Sequence, residues 1–290
     1  MRFERKYKVN NNFFNIWSHD MAYILGFWWA DGNIYRDIFS ISQKKSDEYI
    51  LKNILSTMES DYPIHNSKSH NNSSFAIRSK EIIQSITKIG GTERKSKTCG
   101  FPNVPKEYMP DFIRGVWDGD GCITRQTGRK SYFSALTSGS KKFVEQTQDT
   151  LRKSIHEFMG GQIFKIVQKK GKKFPSGYVS KKQLIYYDLR IGVNDTKRLG
   201  YYMYNERCNL KLERKYKIFK SLTPIINATY NKKYVSYKEA KEFASKLGIK
   251  TWDDWKVFSR SGKRPEYIPS NPNRTYRKEF KSIKNFLGVK

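Results

Sequence analysis

Two stretches of the chain share one pattern of apolar, small and acidic positions. ILGFWWADG occupies residues 24–32 and IRGVWDGDG residues 113–121, and both end in Asp-Gly. A period-2 run follows each, NIYRDIFSISQ at 33–43 and KSYFSALTS at 130–138. Such alternation reads as a strand with one buried face. Next come amphipathic helices with a serine at the start. Ser46 precedes Ile50, Leu51, Ile54, Leu55 and Met58, and Ser140 precedes Phe143, Val144, Thr147, Leu151, Ile155 and Phe158. Both serines are expected to cap their helices. Further strands are expected at 73–79, 161–168 and 183–191, and further helices at about 80–89 and 195–204. Each series closes on a similar basic motif, ERKSK at 93–97 and ERKYK at 213–217. The order helix, strands, helix, strands, helix occurs twice, which implies an α+β fold made by internal duplication.

Spacing within the two Asp-Gly segments carries the first chemical implication. Gly26 and Ala30 are four apart, as are Gly115 and Gly119, so each pair lies on one helix face. A face without bulk lets two helix backbones approach closely. A mid-helix glycine costs roughly 1 kcal/mol against alanine, so its placement needs a packing reason. Pairing the helices through these faces would set Asp31 and Asp120 side by side. Two close carboxylates repel and raise one another's proton affinity. A hard divalent cation such as Mg²⁺ would relieve that repulsion.

Composition narrows the partner. Among 290 residues, 56 are Lys or Arg and 27 are Asp or Glu, a formal charge of +29. An excess of that size calls for an anionic partner, nucleic acid or an acidic membrane surface. With 37% hydrophobic and 15% aromatic residues the chain is too apolar for a solvated polycation. No stretch approaches the ~20 apolar residues of a membrane span, and the first residues lack a secretory signal's apolar core. Cys99, Cys122 and Cys208 are too scattered for a disulfide framework or zinc ribbon, so an intracellular, reducing compartment is expected. The four histidines show no metal-ligand spacing.

The segment KKGKKFPSGYVSKK (169–182) contains six lysines and no acid, and reads as a hairpin loop following a phosphate backbone. From residue 234 the chain changes character. Ser236 with Glu239, and Thr251 with Asp254, form capping-box patterns ahead of short helices, and a last helix ends at Gly288. This tail holds 14 basic and 6 acidic residues, so most of the excess charge lies in the body. The expected domains are 1–105, 106–222 and 223–290, with a linker at 221–233.

With these features the chain resembles a single-chain, two-motif LAGLIDADG homing endonuclease over about residues 10–220. The resemblance implies two αββαββα halves forming a saddle-shaped antiparallel sheet along the DNA major groove, with the motif helices between the halves. It implies metal binding by the last acidic residue of each motif, Asp31 and Asp120. Mg²⁺ is the expected cofactor, and other divalent cations such as Mn²⁺ or Ca²⁺ are expected to bind as well. It places a polar residue near the attacking water on the strand after each motif, Gln43 and Ser138. It also places a basic residue beside each site to stabilise developing charge. Lys95 and Lys215 are preferred for that role over Lys97 and Lys217. In the first motif Trp29 stands where the second has Asp118. Trp28, Trp29 and Trp117 are expected in the core, and Asp118 in a structural role.

DNA contacts are expected from the exposed strand faces and the lysine loop: Tyr35, Arg36, Ser40, Ser42, Lys44, Arg78, Arg129, Ser131 and Arg190, with Lys169, Lys170, Lys172 and Lys173. The tail resembles repeat units found beside some homing endonucleases and phage integrases. Arg260, Lys263, Arg264 and Arg274 are its contact candidates, and Trp252, Trp255, Phe258 and Phe280 its core. The implied activity is a staggered double-strand break in a long asymmetric target by a monomer, promoting mobility of a host intron or element. Two other activities suit the same charge: an intron maturase that binds its host intron RNA, and a DNA-binding protein that does not cut.

Overall fold

The computed structural model describes residues 6–67, 71–93, 95–125, 132–172, 179–204, 208–230, 234–261, 263–265 and 267–289. For Arg125 and residues 223–230 only the backbone is described. Arg129, Ser131 and Lys173 lie outside these residues.

The chain divides into two compact units, Met1–Thr223 and Pro224–Lys290. The first contains the duplication. Helix α1 (His19–Asp31) leads into strands β1 (Gly32–Tyr35) and β2 (Ile38–Lys44), helix α2 (Glu48–Thr57), strands β3 (His65–Ser67) and β4 (Asn72–Arg78), and helix α3 (Lys80–Ile89). The second half repeats this with α4 (Met109–Gly119), β5 (Gly121–Arg125), β6 (Tyr132–Ser138), α5 (Lys141–Ser154), β7 (Gln162–Gln168), β8 (Leu184–Ile191) and α6 (Val193–Met203). Each half forms a four-stranded antiparallel sheet, ordered β1-β2-β4-β3 in one and β5-β6-β8-β7 in the other.

Helices α1 and α4 lie in the core between the halves. Every residue of α1 from Met21 to Trp29 is buried, as is every residue of α4 from Asp111 to Asp118. Burial around the whole circumference is what a helix packed on all sides requires. The small residues meet as their spacing predicts. A methyl on Gly115 would collide with the carbonyl oxygen of Tyr23 and lie 2.6 Å from the Phe27 amide nitrogen. A methyl on Gly26 would collide with the carbonyl oxygen of Phe112, and one on Gly119 with the Ala30 side chain. One hydrophobic core runs through both halves, from Phe14 to Phe219.

The structure corrects several expectations. The run at 33–43 is a hairpin, because the chain turns at Arg36 and Asp37 and Arg36 adopts φ 54°. The alternation changes parity there, which a continuous strand would not. The run at 130–138 yields β6 alone, and its partner β5 starts directly after the motif helix. Ser46 does not cap α2. It lies in a short 3-10 turn, and Asp47 occupies the cap position with its side chain engaged elsewhere. Ser140 does cap α5, accepting from the Phe143 amide. Helix α7 (Glu213–Tyr230) continues through most of the segment read as a linker. The described residues of its counterpart ERKSK, Glu93 and residues 95–97, lie in turns.

The second unit has its own small core around Trp255, Phe286, Ala240, Ala244 and Ile268, with Trp252, Phe258 and Phe280 packed against it. Helices α8 (Tyr237–Ser245) and α9 (Trp252–Arg260) both open with the expected capping boxes. The short helices α10 (Pro272–Thr275) and α11 (Ile283–Leu287) complete it, with Gly288 left-handed at the last C-cap.

Candidate active site

Pairing of α1 and α4 brings their C-terminal ends together, and Asp31 and Asp120 with them. A methyl on Gly119 would lie 3.1 Å from Asp31 Oδ2, so the Asp31 carboxyl rests against the end of the opposite motif helix. Burial raises the Asp31 pKa to about 7, and repulsion from Asp120 adds to it, against opposition from Lys215 and Lys95. Asp120 retains solvent exposure as a residue, yet surrounding protein raises its carboxyl as well, opposed by Lys95 and Lys215. The side-chain amide of Gln43 donates to Asp31. Gln43 reaches it because it lies on the buried face of β2 beside Ile41, which pairs with Gly32.

Ser138 occupies the same register position in the second half, two residues after Leu136, the partner of Gly121. Its hydroxyl accepts from the Ser140 amide at 3.2 Å. Among the described contacts it has none with Asp120.

The lysines are equivalent in place and in partners. Lys95 Nζ donates to the carbonyls of Trp29 (2.8 Å) and Ala30 (3.3 Å) at the end of α1, 5.1 Å from the Trp28 ring centre. The three N–H groups of Lys215 Nζ are shared among the carbonyls of Trp117 (2.8 Å), Asp118 (2.6 Å) and Gly119 (3.2 Å) at the end of α4 and that of Gly121 at the start of β5. Each cation thus satisfies carbonyls that a helix end leaves without partners. Burial lowers both ammonium groups to about 8, and Asp31 and Asp120 oppose that shift in both. Two carboxyls and two ammoniums therefore sit within electrostatic reach of one another, one of each from each half.

Trp29 and Asp118, at matching positions, secure the lysine-bearing segments by different means. The Trp29 indole donates to the carbonyl of Gly100 at 3.2 Å. Asp118 accepts from Tyr23 (2.9 Å), Tyr204 (2.8 Å) and the Leu212 amide (2.8 Å). Arg114, fully buried, donates to the carbonyls of Leu210 and Met203. These contacts explain why an acidic residue and a tryptophan can occupy one motif position.

An open cleft beside Asp31 is lined by Ser42, Gln43, Lys44, Asn72, Gly119, Gly121, Cys122, Ile123, Arg214, Lys215 and Ile218. Arg214 was not singled out from the sequence, although the duplicated ERK motif contains it. Nothing in the sequence marked Asn72 or Asp47.

Ionising Asp31 and Asp120 in this setting is unfavourable, and a hard divalent cation between them would offset that cost. Among the described residues there is no group of three or more His, Cys, Asp or Glu side chains placed to hold a metal. Two carboxylates, with water and phosphate oxygens supplying the remainder, is a coordination that Mg²⁺ commonly uses.

Charge at Asp31 makes a testable contribution to stability. Its folded pKa lies above the ordinary 3.8, so the neutral form stabilises the fold. That contribution is complete below about pH 4 and is lost as pH rises through about 7. Without metal, the chain should lose on the order of a few kcal/mol relative to Asp31→Asn between pH 4 and 8. Urea unfolding of both proteins across that range measures it.

Of the residues expected to face DNA, Tyr35, Ser40, Ser42, Lys44 and Arg78 share one face of the first sheet, because Ser40 pairs with Ala76, Ser42 with Ser74, Lys44 with Asn72 and Ile38 with Arg78. The opposite face carries the buried Ile34, Phe39, Ile41, Phe75 and Ile77. Arg36 sits at the hairpin tip, 5.3 Å from the Tyr35 ring, and Arg78 pairs with Asp37 at 3.3 Å. In the second sheet Arg190 pairs with Asp188 at 2.9 Å and lies 4.9 Å from the Phe164 ring. Asp188 also accepts from Thr137 at 2.7 Å. Lys169, Lys170 and Lys172 are exposed, and beside them the Gly171 amide donates to the Ser180 carbonyl and the Ser180 amide to that of Lys172.

In the second unit Arg260, Lys263 and Arg274 are exposed. Arg264 differs. Its guanidinium donates to the carbonyls of Pro265 and Ile268, which ties it to its own loop.

Duplicated four-stranded sheets around a pair of buried helices define an α+β architecture. Residues 107–199 match the sequence model of the LAGLIDADG-like domain. Among solved structures, the chain is similar to the LAGLIDADG homing endonuclease I-LtrWI bound to target DNA, at 12% identity and a TM-score of 0.42, over 77% of this chain and 93% of that one. It is similar to I-GzeII in complex with its DNA target at 15% identity and 0.41, over 75% and 94%. The N-terminal LAGLIDADG domain of DUF199/WhiA gives 18% identity and 0.40, over 68% and 91%. No curated protein matches the chain significantly.

Proposed function

We propose that the chain is a monomeric, Mg²⁺-dependent DNA endonuclease that makes a staggered double-strand break in a long, asymmetric target and so promotes mobility of its host element. The observation that carries this reading is the convergence of Asp31, Asp120, Lys95 and Lys215 from two halves at the ends of one helix pair. Asp31 and Asp120 would hold the metal, which when bound supplies an activated water and neutralises leaving-group charge. The rest falls to the chain's own groups. Gln43 fixes the Asp31 carboxyl and stands where it can orient a water. Lys95 and Lys215 hold positive charge beside the scissile phosphates, where negative charge grows in the transition state. Tyr35, Ser40, Ser42, Lys44, Arg78 and Arg190 present donors and cations to the groove, with Arg suited to base edges and Lys to phosphate. Arg260, Lys263 and Arg274 of the second unit would extend the contact along the backbone. Because the two halves differ, the target need not be palindromic.

The test is incubation with a randomised duplex pool, with and without Mg²⁺, followed by sequencing of new ends. Staggered ends at one recurring asymmetric sequence are expected, in Mg²⁺ only. Tight binding without new ends would favour a non-cutting DNA-binding protein, and preference for intron RNA over duplex DNA a maturase. Duplex affinity should also fall steeply with salt. About six released counterions would weaken it roughly a thousandfold between 50 and 200 mM.

A further inference from the structure

Each lysine-bearing segment, secured from within its own half by Trp29 or Asp118, is also fastened by the half to which it does not belong. Lys95 begins a tight turn, in which the amides of Thr98 and Cys99 both donate to its carbonyl, at 3.2 and 2.9 Å. This turn belongs to the first half, yet the second half fastens it. Ser140 donates its hydroxyl to the Cys99 carbonyl at 2.8 Å. Gln146 accepts from the Phe101 amide at 2.8 Å, and Phe101 stacks on Phe143 with ring centres 5.9 Å apart. Ser140 caps α5, and Phe143 and Gln146 stand in its first two turns.

Lys215 lies in the first turn of α7, which belongs to the second half, and there the first half adds the fastening. The Glu213 amide donates to the Tyr49 hydroxyl at 2.7 Å. Arg214 Nε donates to Asp47 Oδ2 at 2.8 Å, and the Asp47 side chain is almost wholly buried. Asp47 and Tyr49 stand at the start of α2, the counterpart of α5. The clasp is therefore built twice with different chemistry, a phenol and an ion pair on one side, a hydroxyl, an amide and stacked rings on the other. It also explains why Asp47 does not cap its own helix.

We propose that Asp47 and Tyr49 are positioning residues for Lys215, and Ser140 and Gln146 for Lys95, so that each half completes the other's reaction centre. As a statement about the reaction this rests on the nuclease reading; as a statement about what holds each lysine it does not. Limited acetylation of the full chain, mapped by mass spectrometry, tests the second statement directly. Asp47→Ala should raise acetylation of Lys215 about tenfold, the local opening expected when a charged hydrogen bond is lost, and leave Lys95 within about twofold. Gln146→Ala should do the reverse. Asp47→Asn keeps an acceptor for Arg214 and should restore protection of Lys215. Should Asp47→Ala not fold, Tyr49→Phe removes one hydroxyl only and should shift Lys215 in the same direction. Exposure of both lysines equally by either alanine variant, or of neither, overturns the proposal. On a cleaved target, Asp47→Ala should lower kcat on one strand with KM unchanged, and Gln146→Ala on the other. Absence of cutting by the unsubstituted chain would sink the nuclease reading while leaving the acetylation result to be judged separately.

Discussion

Asp31→Asn and Asp120→Asn should each abolish double-strand cleavage, by at least about a hundredfold, while duplex affinity stays within about threefold. The two effects separate because the groups responsible are separate. Affinity should come from cations spread over strand faces and loops, and neither carboxylate adds to it. The proposed reaction, by contrast, would require negative charge on both helix ends to hold a cation there. Asparagine preserves shape and one acceptor but removes that charge. Neither variant should unfold the protein. Asp31 and Asp120 both resist ionisation where they stand, so a neutral side chain relieves an unfavourable charge. Gel assays on both strands, with affinity measured in Ca²⁺, check the prediction. Loss of folding in either variant would contradict it as firmly as retained cutting.

Gly115→Ala should destabilise the first unit by about 3 kcal/mol, and Gly26→Ala by a similar amount. Helix propensity alone predicts the opposite sign, a gain of roughly 1 kcal/mol. Packing decides. The added methyl meets backbone atoms, Tyr23 and Phe27 in one case and Phe112 in the other, and backbone cannot change rotamer to escape. The helices must move apart, which also displaces Asp31 and Asp120. Gly192→Ser is a fitting control, since a side chain there meets nothing within 4 Å and serine suits the start of α6. Its effect should stay within about 0.5 kcal/mol. Urea unfolding midpoints of the three variants measure the contrast.

Much of this architecture is legible in the sequence because it was written twice. One Asp-Gly segment would signify little more than a helix end. Two, each with small residues four apart and a strand behind, specify a helix pair, and the structure brings Gly26, Ala30, Gly115 and Gly119 together. The paired ERK motifs likewise single out Lys95 and Lys215, which the structure sets at the ends of the two motif helices. What the sequence did not reveal lies in contacts between distant segments. The hairpin at Arg36 and Asp37 lacks a glycine or Asn-Gly signal. β3 is polar and short, and exists only because β4 offers it a partner. The crosswise fastening of Asp47 to Arg214 spans 167 residues, and no local pattern encodes it. Trp29 looked like plain core packing, yet its indole also secures Gly100. Arg264 shows the converse: a basic residue in an exposed-looking loop is engaged by its own backbone.

On the proposed function, metal-dependent cleavage needs one carboxylate from each half. Titration of Mn²⁺ into the metal-free chain, followed by electron paramagnetic resonance, tests it most directly. Binding near neutral pH that weakens sharply in Asp31→Asn and again in Asp120→Asn is the predicted result. Undiminished Mn²⁺ binding in both variants would contradict it.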